Sequence, residues 1–74
     1  MNEKELLNRI ITKPGIFAGK PVIKGRRIAV EHILYMLAEG ATHKEILDGY
    51  PFLAEEDIVA CELWQKQNRK GDKS

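Results

Sequence analysis

One cysteine, Cys61, and two histidines, His32 and His43, are all the thiol and imidazole chemistry this 74-residue chain carries. An intrachain disulfide is excluded, and zinc-type ligand spacing cannot be built, so metal sites are set aside and no cofactor is expected. No apolar run approaches the ~20 residues that span a bilayer, and the charged start Met1-Asn2-Glu3-Lys4-Glu5 is no signal peptide. The expected setting is the cytoplasm, away from membranes. Internal repeats and low-complexity tracts are also missing. So short a chain makes one domain with a marginal core, and it is expected to lean on a partner or on a second copy as a homodimer.

What the chain does have is concentrated in Gly15-Ile16-Phe17-Ala18-Gly19-Lys20-Pro21-Val22-Ile23-Lys24-Gly25-Arg26-Arg27-Ile28. Gly19 and Gly25 permit positive φ, Pro21 fixes its own φ and holds Lys20 extended, and Val22-Ile23 favours β structure. The result is a compact basic turn. Lys20, Lys24, Arg26 and Arg27 have no acid between them, and such a surface meets either a nucleic acid or an acidic protein. The net charge is only +1, because this turn and the basic end with Lys66, Arg69 and Lys70 flank an acidic middle.

Residues 1–8 read as an N-terminal arm in which Leu6 and Leu7 form either a short helix or a docking segment. A β element spans 9–29, with two pairings open. Arg9-Ile10-Ile11-Thr12 runs antiparallel to Arg27-Ile28-Ala29-Val30, the preferred arrangement, or Val22-Ile23 folds tightly onto Arg27-Ile28 over Lys24-Gly25. From Val30 the period becomes helical: Val30, Ile33, Leu34 and Leu37 share a face and Gly40 ends a helix near 30–39. Thr42-His43-Lys44-Glu45 is a capping box that opens a second helix near 43–50, and Pro51 stops it. A third helix, near 55–70, begins with Glu55, Glu56 and Asp57 at the positive end of its dipole and carries Lys66, Arg69 and Lys70 at its negative end. Residues 71–74 should fray. The fold class is mainly α with a small β element, and Gly40 to Ala54 has the spacing of a helix-turn-helix unit in a three-helix domain.

The order Pro14-Gly15-Ile16, Gly19-Lys20-Pro21-Val22-Ile23-Lys24-Gly25, Arg27-Ile28, Gly40, Glu45-Ile46-Leu47, Tyr50-Pro51, Leu53 and Glu56-Asp57-Ile58 resembles the small prokaryotic family called Domain of Unknown Function 433, over roughly Ile10 to Trp64. The resemblance implies a trihelical, homeodomain-like or winged-helix-like domain with an N-terminal β-hairpin or strand pair. It also implies an antitoxin-like role, since some members resemble antitoxins whose partner is a PIN-like ribonuclease toxin. Three positions depart from the family pattern. Ala54 stands where a serine or threonine N-cap is usual, a loss of ~1 kcal/mol. Arg26 replaces a small hydroxyl residue, and Glu62-Leu63 reverses an apolar-then-polar order.

Nothing in the sequence assembles a catalytic constellation, and the chain is not expected to be an enzyme. His32 and His43 read as surface side chains on helix flanks. Cys61, among Val59, Ala60 and Leu63, reads as a small core hydrophobe. Glu55, Glu56 and Asp57 point in different directions on a helix and serve its dipole. The glycine-rich turn lacks the Gly-Lys-Ser/Thr order of a phosphate loop. Three acids at the start of the third helix disfavour standard major-groove docking, so any DNA contact is expected from Lys20, Lys24, Arg26 and Arg27. Lys66, Arg69 and Lys70 are then left for the nuclease partner. The alternative is a protein-interaction module that binds no DNA.

Overall fold

A computed structural model describes residues 2–68. The order is α1 (Glu3–Leu7), β1 (Ile10–Ile11), β2 (Val22–Ile23), α2 (Val30–Ala38), α3 (His43–Gly49) and α4 (Glu55–Asn68), with one 3₁₀ turn at Phe17–Gly19. The chain is therefore mainly helical, with a small antiparallel strand pair near its N-terminus. No helix among the described residues is long and apolar enough to cross a membrane.

The helix boundaries follow local chemistry. At the start of α3, the Glu45 amide donates to Thr42 Oγ1 at 3.1 Å and the Thr42 amide to Glu45 Oε1 at 2.8 Å, the reciprocal capping box expected from Thr42 and Glu45. α2 ends in a Schellman motif. The Gly40 amide bonds the Leu37 carbonyl and the Ala41 amide bonds the Met36 carbonyl, both at 3.0 Å, with Gly40 at φ 99° where a side chain would be strained. Of the two readings of the N-terminal arm, the short helix is the one that forms, over Glu3–Leu7. Asn2 and Glu5 cap α1 reciprocally, and α1 packs against α4.

The preferred strand pairing is corrected. Ile10 faces Ile23 and Ile11 faces Val22, while Ala29 bridges to Val22 from the other side. Val22-Ile23 is central, so 9–12 and 27–30 never meet. The physical reason is burial, since Val22 and Ile23 are β-branched, almost wholly enclosed and apolar on both flanks. The tight turn of the second pairing does form. Arg26 N–H donates to the Ile23 carbonyl across Gly25, at φ 77°, and Ile23 N–H to the Ile28 carbonyl.

Ile23, Ile28, Val30, Ile33, Ile46, Leu53, Ile58 and Cys61 make one core, with Ile10, Leu37 and Trp64 packed around it. Helices α2, α3 and α4 form the trihelical body. The strand pair and α1 close its side against α4.

Candidate functional site

Asp57 lies at the third position of α4, behind Ala54. Its Oδ2 accepts the Ala54 amide at 2.9 Å, so the missing hydroxyl cap is replaced by half of a capping box. Its Oδ1 accepts from Arg9 Nη1 at 2.9 Å, and Arg26 Nε stands 3.7 Å from Oδ2. The carboxylate is 2% exposed, whereas the Arg9 and Arg26 side chains are 31% and 40% exposed. Asp57 is thus the floor of an open cleft of about 450 Å³ that Glu5, Asn8, Arg9, Lys24 and Arg26 also line. Asp57 was expected only to complement the helix dipole. It lies instead on the buried stripe of α4 with Cys61 and Trp64, at i, i+4 and i+7, a spacing visible in the sequence.

The four expected DNA-contacting cations do not share one face. Lys20 Nζ pairs with Glu31 Oε1 at 2.9 Å. Lys24 and Arg26 line the cleft with Arg9, a residue the sequence reading passed over. Arg27 lines a second concavity of about 230 Å³ with Gly15, Ile16 and Phe17. Of the three expected partner-binding residues, Lys66 is exposed at the end of α4, while Arg69 and Lys70 lie outside the described residues.

Phe17, Ala18 and Gly19 all have positive φ, at 48°, 55° and 84°, and Arg27 stands at 55°. A left-handed conformation costs a residue with a Cβ ~1–2 kcal/mol, and strain of this kind gathers at functional segments. Replacing Ala18 by glycine is therefore expected to raise stability by about 1 kcal/mol in urea unfolding. A loss of stability would mean that the Ala18 methyl packs usefully.

His43, expected to be a plain surface residue, joins α3 to α4. Its Nδ1 lies 2.6 Å from Glu55 Oε2 and its Nε2 3.1 Å from Glu62 Oε2. Both carboxylates are acceptors, so the arrangement is fully satisfied only when both ring nitrogens carry a proton. Hydrogen bonds to Glu55 and Glu62, which outweigh desolvation, raise its pKa above 6.5. This pairing also accounts for Glu62 in the Glu62-Leu63 reversal. A raised folded-state pKa gives stability that is fully present below the unfolded value and lost as pH rises through the folded one. A proton NMR titration of the His43 ring should therefore show a midpoint above 6.5, and His43→Gln should flatten the fall in melting temperature above that pH.

His32 Nε2 meets Tyr50 Oη at 2.9 Å, and the Tyr50 ring is edge-on to Phe52 at 6.0 Å between centroids. Phe52, Tyr35 and Phe17 are the exposed large hydrophobics among the described residues, and all three are aromatic.

The profile of a family described as "Protein of unknown function (DUF433)" matches residues 10–62, from β1 through most of α4. The chain belongs to the DUF433 family. A crystal structure of a DUF433 member protein from Anabaena variabilis ATCC 29413 is similar to it, with 34% sequence identity and a TM-score of 0.80. That similarity covers 92% of this chain and 67% of the other. No curated protein matches the sequence. The DUF433 match takes in Arg26, Arg27, His43 and Asp57 but begins after α1 and Arg9.

Proposed function

We propose that this DUF433 chain is an antitoxin-like protein-binding module whose partner is a PIN-like ribonuclease toxin, with an accessory contact to operator DNA. The observation that carries the reading is the surface chemistry: the exposed large hydrophobics, Phe17, Tyr35 and Phe52, are all aromatic, and Phe17 shares a strained concavity with Arg27. Aromatic side chains and arginine are the anchors of protein interfaces, and strain held in an exposed turn favours a preformed contact. A nuclease site that holds divalent metal is rich in carboxylates, which suits a cation from the turn or from the basic end with Lys66, Arg69 and Lys70.

The DNA part is narrower than the sequence alone implies. Lys20 is tied to Glu31 and Arg26 faces Asp57, which leaves Lys24 and Arg27 as the turn cations without an ion pair among the described residues. The second reading, interaction without DNA, draws support from the acidic α3–α4 face, where Glu55 and Glu62 flank His43. Co-expression with the adjacent toxin gene tests the proposal. Deleting residues 66–74 is expected to abolish neutralisation while leaving the fold and operator binding intact; full rescue by the shortened chain overturns the assignment of the toxin to the tail. Arg27→Ala with Lys24→Ala should lower the salt slope of DNA binding by about two, and an unchanged slope favours the second reading.

A further inference from the structure

We infer that the cleft between α1, the turn after β2 and α4 is a binding site for a phosphate group. Arg9, Lys24 and Arg26 line it against two carboxylates, those of Glu5 and Asp57, so one positive charge is left uncompensated among the described residues. Glu5 Oε1 is occupied by the Asn2 amide, and both Asp57 oxygens are engaged. The donors are in excess. Arg9 spends one guanidinium N–H on Asp57, and Arg26, at 3.7 Å, is beyond hydrogen-bond distance. Exposure orders the site, with the carboxylate of Asp57 on the floor and the two guanidinium groups nearer solvent, so an incoming anion meets cations first.

The site is built before any ligand arrives. Lys24 N–H donates to the Arg9 carbonyl at 2.7 Å, which locks the two cation-bearing positions across the strand pair. Arg26 is placed by its own amide on the Ile23 carbonyl and by the left-handed Gly25 that precedes it. The hydrogen bond to Asp57 restrains the Arg9 side chain, so less side-chain entropy is left to lose on binding. Cations from two directions match a tetrahedral oxyanion, which offers oxygens to several donors, better than a planar carboxylate, which a single guanidinium fork satisfies. This site does not depend on the toxin reading, because free phosphate is a sufficient probe.

The test is a ¹H–¹⁵N NMR titration of the full chain at constant ionic strength with inorganic phosphate, a nucleoside monophosphate, a short oligonucleotide and acetate. Saturable shifts confined to Arg9, Lys24, Arg26 and their neighbours are expected with the phosphate probes, and Arg26→Gln should weaken them about tenfold. Lys24→Gln is the second variant, since Lys24 has no ion pair to Asp57 and its loss leaves the fold intact. Response to the oligonucleotide alone keeps the phosphate chemistry and makes nucleic acid its source. Acetate binding as tightly as phosphate, uniform non-saturable shifts, or saturation unchanged by both variants overturns the inference.

Discussion

Asp57→Ala is expected to destabilise the domain by about 2–3 kcal/mol, a fall of roughly 10–20 °C in melting temperature for a chain of this size. Two losses combine. The Ala54 amide at the head of α4 loses its acceptor, which costs ~1 kcal/mol. The Arg9 guanidinium loses its only hydrogen-bonded carboxylate among the described residues, and because Arg9 is partly exposed and recovers some hydration, the cost stays below that of a fully buried broken pair. Asp57→Asn retains an oxygen for the amide but not the charge, so it should fall between the two. Calorimetry or urea denaturation measures the series, and an alanine variant as stable as the parent would remove Asp57 from the structural argument.

The second large effect concerns Cys61, which is fully enclosed beside Ile58. Burial, with help from Asp57 and Glu62, pushes its thiol up to about 12. At pH 8 the thiolate fraction is then ~10³-fold below that of an ordinary exposed cysteine, before any steric exclusion is counted. Labelling by an aromatic disulfide reagent is expected to be at least ~10³-fold slower in the folded protein than in urea, and to proceed through opening of the core. The same assay reads Asp57→Ala, which should accelerate labelling as the open population grows. Rapid labelling of the parent protein in native buffer contradicts the enclosed position.

Much of this fold was legible because its signals are local. Thr42 and Glu45 announce a helix start through side chains three residues apart, Gly40 announces a helix end by its need for positive φ, and Pro51 stops α3 by chemistry contained in two residues. The strand pairing was not local. Ile10-Ile11, Val22-Ile23 and Ile28-Ala29 are all β-favouring, and only the competition for the central, doubly flanked position decides that Val22-Ile23 takes it. The cleft was harder still. Arg9 and Asp57 are 48 residues apart, and each looks like an ordinary surface charge in its own window. Only the stripe shared by Asp57, Cys61 and Trp64 hinted that this acid faces inward, and nothing near Arg9 hinted at its partner. His43 was missed for a similar reason, since Glu55 and Glu62 lie on the next helix.

The packing of α1 on α4 gives this protein a late closing step while it is being made. Ribosomes add about 5–20 residues per second, so Arg9 emerges some 2–10 s before the Asp57 that neutralises it. Throughout that interval the first helix, the strand pair and the basic turn have no α4 to rest on, and Ile10 and Ile23 stay accessible to chaperones and proteases. A nascent chain interrupted before Ile58 lacks three of the enclosed core residues, Ile58, Ala60 and Cys61. The core thus closes only once α4 has been made, and until then its isoleucines have no helix to cover them.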